Sequence, residues 1–134
     1  MIVVDGTNQI LGRFASKIAK LLLNGEKVVV VNAEKVIVIG DPKIIKEKYL
    51  KRREIGSAHH GPYYPRRPDQ IVRRAIRGMI PYKKPHGKKA FSNLKVCIGL
   101  PQELKNKKEK WETKDIKTTY VTIHEISKSL GWSG

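Results

Sequence analysis

The chain has 134 residues, 40% hydrophobic and 30% charged, a size and balance that suit one globular domain able to fold without disulfides. Lysine and arginine number 28 against 12 acidic residues, and a formal charge of +16 opposes compaction unless an anion offsets it, nucleic acid first and an acidic membrane surface second. The lone Cys97 excludes an internal disulfide or a multi-cysteine zinc site, and no apolar run is long enough to span a bilayer.

Ile2-Val3-Val4 is a candidate strand, and Asp5-Gly6-Thr7-Asn8 is turn chemistry. Because Asp5 interrupts this first apolar run, it is expected to be no signal peptide, and the chain is expected to be soluble and cytoplasmic. From Leu11, the apolar positions Phe14, Ala15, Ile18 and Leu22 recur at helical spacing, and Asn24-Gly25 supplies the stop. Lys27–Val31 and Val36–Ile39 read as buried strands, being short β-branched runs. Strand, helix, strand is a βαβ unit, which predicts parallel pairing and an α/β fold.

Gly40-Asp41-Pro42 opens a helix from Lys43 to about Arg53, crowded with cations that include Lys51, Arg52 and Arg53. Residues 54–66 read as a loop, and Pro68 starts a helix over Asp69–Ile80 that Pro81 ends. In that helix Ile71, Val72, Ala75, Ile76 and Met79 gather on one side. Arg73, Arg74 and Arg77 fall opposite, and are expected to point outward together. Replacing these three with Ala is expected to weaken RNA binding and leave the fold intact. Lys83–Lys89 reads as a basic loop, followed by a short helix near Lys88–Asn93, a strand Leu94–Ile98 holding Cys97 in the core, and a break at Gly99-Leu100-Pro101. Lys105–Lys117 is polar. Thr118–Ile123 alternates like an exposed strand, and Thr122 with Glu125 fits a capping box for a last helix ending at Gly131.

Charge is unevenly placed. Residues 43–89 carry fifteen basic and three acidic groups, a net +12, against +1 for residues 1–42 and +3 for residues 90–134. Within this segment His59, His60, Tyr63, Tyr64, Arg66 and Arg67 precede the arginine-bearing helix. Tyr82, Lys83, Lys84, His86, Lys88 and Lys89 follow it. Rings interleaved with cations suit irregular or single-stranded RNA, and guanidinium forks suit phosphate. Any one of these cations could be an ordinary solvated side chain. The unopposed charge of the whole segment is what favours nucleic acid.

Other chemistries fit less well. Gly6 and Gly12 flank a strand-to-helix turn, but a nucleotide-binding loop of the Walker type needs four residues between its glycines and Lys-Ser/Thr after them. Here five intervene and Arg13-Phe14 follow. A small nucleotide-hydrolysing enzyme built on this loop is the rival reading, which an ATP and GTP hydrolysis assay with a Gly12→Val control separates. His59, His60, His86 and His124 stand at no zinc spacing, so no metal or cofactor is expected. The tail "IHEISKSLGWS" (Ile123–Ser133) is like the first helix of a helix-turn-helix, but no recognition helix follows it. Ile126, Leu130 and Trp132 are therefore expected to pack. A free regulatory RNA- or DNA-binding protein is the third reading.

Three stretches carry a family resemblance: "VVDGTNQILGRFASKIAKLL" (Val3–Leu22), "VVVVNAEKVIVIGDP" (Val28–Pro42) and "RRPDQIVRRAIRGMIPYKKPHGKKAFSNLKVCIGLP" (Arg66–Pro101). The chain resembles the universal family of large-subunit ribosomal proteins numbered thirteen, in its compact archaeal–eukaryotic form. "HHGP" (His59–Pro62) matches that branch, and Cys97 stands where the family usually has an aromatic residue. The resemblance implies an α/β fold of three-layer α/β/α form with a small, mainly parallel central sheet. It implies binding to large-subunit rRNA during assembly, with the basic segment 43–89 facing the RNA. An extension at about 102–134 would meet neighbouring large-subunit ribosomal proteins, with neither membrane nor small-molecule substrate involved.

Overall fold

A computed structural model describes residues 1–55, 65–106, 108–109, 111 and 118–132. The elements are β1 (Ile2–Asp5), α1 (Leu11–Leu23), β2 (Val28–Val31), β3 (Ile37–Ile39), α2 (Pro42–Ile55), α3 (Pro68–Arg77), α4 (Pro85–Ser92), β4 (Leu94–Val96), β5 (Lys108–Glu109), β6 (Tyr120–Thr122) and α5 (Ile123–Ser129).

The central sheet has the order β4-β2-β1-β5, and every pairing in it is parallel. Val3 faces Val29 and Val4 faces Val30 across the middle pair. Both faces of β2 are covered, which is why its four residues are all valine rather than alternating with polar ones. Val4, Val28 and Val30 point into the main core with Phe14, Ile18 and Leu22 of α1, Ile71 and Ile76 of α3, and Ile126 of α5. Val3, Val29 and Val31 face the other way. Among the described residues that second face is covered by Cys97, Leu100 and Leu104, the last in a 3-10 turn at Gln102–Leu104. The α/β class and the small, mainly parallel sheet agree with expectation, and the layer on the second face is thin.

Val36–Ile39 departs from its predicted role. Val36 and Ile37 are buried, but Ile39 is 44% exposed. The strand leaves the central sheet and pairs antiparallel with β6, Val38 opposite Val121. With the flank of this two-stranded ribbon open, burial of the whole run is not required.

A buried carboxylate ties the sheet together. Asp5 Oδ1 accepts from the Thr7 amide at 2.9 Å, the Thr7 hydroxyl at 2.6 Å and the Asn32 side-chain amide at 3.1 Å, while Lys108 Nζ stands 3.7 Å from Oδ2. Lys108 thereby carries β5 onto the edge of β1, a strand that its charged, two-residue sequence does not announce. Trp111 continues the attachment. Its carbonyl accepts from Gln9 Nε2 at 2.9 Å, and its ring meets Phe14 edge-on at 5.6 Å.

Helix ends follow local chemistry. The Gly25 amide donates to Leu22 O and the Glu26 amide to Leu21 O, with Gly25 at φ 89°, a Schellman closure of α1. The same pair of bonds closes α5, from Gly131 to Lys128 O and from Trp132 to Ser127 O. Thr122 Oγ1 accepts from the Glu125 amide at 3.2 Å, the predicted N-cap. Ile126 and Leu130 are buried as expected, and Trp132 is half-buried against His124.

Candidate nucleic-acid interface

The basic segment is built on α3, the turn after it, and α4. Pro68 occupies the first turn of α3, where its missing N–H costs nothing. The helix ends at Arg77, three residues before the predicted Ile80. Proline 81 is the cause: its ring would strike the carbonyl four residues back and bars Ile80 from helical angles. The chain tightens instead, with Met79 donating to Ile76 O and Ile80 to Arg77 O. That shift rotates the last apolar positions. Ile80 is 6% exposed and Met79 is 44% exposed, the reverse of the predicted stripe.

Lys83–Lys89 is not the predicted loop. It turns helical at Pro85, after Tyr82 and Lys84 close tight turns onto Ile80 O and Pro81 O. Gly87 is buried against this turn: a Cβ there would sit 1.9 Å from Pro81 O. No acidic residue stands in the first turn of α4, whereas α3 carries Asp69 at that place.

The arginines of α3 divide in two. Arg73 and Arg77 lie one turn apart and each covers a ring, Arg73 Cζ 4.3 Å from the Phe91 centroid and Arg77 Cζ 4.2 Å from that of Tyr82. The two rings meet edge-to-face at 5.5 Å. Arg73 is half-buried, and its Nη1 donates to the Leu94 carbonyl at 3.0 Å. It is therefore a brace between α3, α4 and β4, and the expectation that all three guanidiniums point outward is corrected there. Arg77 is exposed, and Arg74 is half-buried. Arg73→Ala is expected to lower stability by about 2 kcal/mol, since it strips a half-buried carbonyl of its donor and a ring of its cation. Arg77→Ala should cost under about 1 kcal/mol. Urea denaturation of the two variants separates them, and equal midpoints would refute the brace.

The remaining predicted cations form the rim. Arg66, Lys83, Lys84, His86, Lys88 and Lys89 are exposed. Arg67 is exposed too, with its Nε 3.3 Å from buried Asp69 Oδ1. Two cavities open beside α3 and the turn after it. One of 520 Å³ is lined by Arg74, Arg77, Ile80, Tyr82, Lys83 and Lys84 among others. The other, of 200 Å³, has Pro65, Gln70 and Phe91 beside the same arginines. Lys51 and Arg52 are exposed on α2, and Arg53 is in its last turns. Arg52 lies over the Tyr49 ring at 5.2 Å. That helix packs on α5 and β6, and none of its described side chains lines either cavity. His59, His60, Tyr63 and Tyr64 lie outside the described residues. Sequence reasoning missed Phe91 and Gly87. The one hint was the four-residue spacing of Arg73 and Arg77, which puts both in one row.

The first four amides of the Gly6–Gly12 turn are taken up inside the fold. Gly6 donates to Val31 O, Thr7 to Asp5 Oδ1, Asn8 to Lys35 O and Gln9 to Gly6 O. Gly6 is required by packing, since a Cβ would meet Val36 at 2.7 Å and Asn32 O at 3.2 Å. Among the described residues no three His, Cys, Asp or Glu side chains gather as a metal site, and no helix is long and apolar enough to cross a membrane. Cys97 is half-buried just past β4.

Comparison with known proteins gives a consistent result. The family described as Ribosomal protein L13 matches residues 1–103. The chain is similar to the large ribosomal subunit protein uL13 of Archaeoglobus fulgidus, 46% identical over 138 residues that cover 98% of this chain and 88% of that protein. It is 46% identical to the protein of the same name from Methanocaldococcus jannaschii and 43% identical to that from Methanococcoides burtonii, with 98% of each chain covered in both cases.

Proposed function

The chain belongs to the ribosomal protein L13 family, and from that membership we propose that it holds large-subunit rRNA through the α3–turn–α4 surface and supports assembly of the subunit. Its role is that of a structural constituent of the large ribosomal subunit in the cytoplasm, not an enzyme. The observation that carries the RNA-binding surface is the charge of residues 43–89, fifteen bases against three acids, set on elements whose apolar sides are buried in the core. A neutral sheet gives the shape. Arginine and lysine neutralise phosphates, and Arg77 with Tyr82 offers a planar stack to bases. Lys51, Arg52 and Arg53 of α2, and His59, His60, Tyr63 and Tyr64 outside the described residues, are further RNA contacts in this reading. Residues 102–134 meet neighbouring large-subunit proteins.

Sucrose-gradient sedimentation of extract from cells expressing the chain tests this. The protein is expected to travel with the large subunit and to stay there at raised salt, because in the assembled particle neighbouring proteins hold it in addition to the salt-sensitive phosphate contacts. Recovery at the top of the gradient at low salt would overturn the assignment in favour of a free RNA- or DNA-binding protein.

A further inference from the structure

We propose that the 520 Å³ cavity between the end of α3 and the start of α4 receives one unstacked nucleotide of the bound RNA, its base against Arg77 and its phosphate on Lys83 and Lys84. This rests on the RNA-binding reading above and adds the form of RNA that the surface selects. The volume lies within the roughly 300–1,000 Å³ range of sites for single small ligands, and is far too small for a duplex.

Its lining is divided as a nucleotide is divided. Ile80, Pro81 and Tyr82 supply an apolar wall, and Lys83, Lys84, Arg74 and Arg77 supply cations. Among the described residues no carboxylate lines it, so the lining favours an anionic ligand over a metal ion or a cation. A planar uncharged ring with an anionic tail matches both parts.

Arg77 is held ready before any RNA arrives. Its guanidinium rests over Tyr82, and Tyr82 is itself fixed edge-on against Phe91. A base that stacks on this guanidinium meets a plane already in place, so little side-chain freedom is lost on binding. The smaller cavity of 200 Å³ shares Arg74 and Arg77, so the strand can continue across these two residues from one hollow to the next. Bases inside a helix cannot enter, because both their faces are stacked. The surface therefore prefers single-stranded or bulged RNA to a duplex of equal charge.

The test uses the full chain and two RNA probes. One is an oligouridylate of roughly twelve nucleotides with a central 2-aminopurine, and the other is a blunt duplex with the same number of phosphates. Binding to the single strand is expected to change the 2-aminopurine fluorescence. Arg77→Lys keeps the charge and removes the plane, and is expected to weaken single-strand binding about tenfold and to narrow the preference for the single strand over the duplex. Equal single-strand affinity for the variant and the native chain overturns the proposal, as does a bound strand with unchanged fluorescence. Displacement of the strand by free AMP at low concentration also overturns it, in favour of a mononucleotide site. Binding to neither RNA defeats the RNA-binding reading itself, and this proposal with it.

Discussion

Affinity for large-subunit rRNA is expected to fall about 10³–10⁵-fold as salt rises from about 50 to about 200 mM, with roughly six to ten phosphates neutralised. The cause is release of counterions. Each phosphate met by a lysine or arginine frees cations condensed on the RNA, and added salt removes that entropic gain. The rim consists of Arg66, Arg67, Lys83, Lys84, Lys88 and Lys89, all exposed, with Arg77 beside them. Exposed charges of one sign are screened over about 10 Å at 0.1 M salt, so the long-range attraction that speeds encounter fades over the same interval. Filter binding across a salt series measures the slope. A flat response would remove electrostatics as the mechanism, and would leave shape and stacking to carry recognition.

Replacing Gly87 with Ala should lower stability by about 3 kcal/mol and the melting temperature by about 10 °C. In an exposed helix interior the same change is favourable by up to about 1 kcal/mol. Here the sign reverses. The added Cβ would lie 1.9 Å from Pro81 O, 2.4 Å from Pro81 C and 3.1 Å from the Tyr82 nitrogen. All three are backbone atoms, so no side-chain rotation relieves the overlap, and α4 must move. Movement draws Phe91 off Arg73 and away from the main core, and carries Lys84 out of the larger cavity. Loss of RNA affinity should accompany the loss of stability. Gly12→Ala is the control, because nothing lies within 4 Å of its added Cβ in α1. It should leave the fold unharmed or stabilise it by about 0.5 kcal/mol. Thermal unfolding followed by circular dichroism compares them, and an unchanged melting temperature for Gly87→Ala would show that α4 is not seated on Pro81.

Much of the architecture was legible because it is encoded over short distances. The spacing of Leu11, Phe14, Ile18 and Leu22 determined α1, and the valine run determined β2 as a strand covered on both faces. Pro68, Asn24-Gly25 and the Thr122–Glu125 pair marked helix ends through bonds made within a turn of their own position. The excess of cations in residues 43–89 is likewise a property of the chain itself, and so is the class of partner it favours. Those patterns carry their own physical cause, whether periodic burial, local capping or net charge.

What the tertiary structure alone decided depends on groups far apart in sequence. β5 is a strand because Lys108 reaches Asp5, 103 residues earlier, at the open edge of β1. Arg73 is a brace because the fold brings the Leu94 carbonyl and the Phe91 ring to it. Gly87 is obligatory because α4 turns back onto Pro81. The cavities exist only where α3, the turn and α4 converge. Composition and periodicity report what a residue prefers on average, while a specific contact is set by which distant atom arrives beside it once the core has closed.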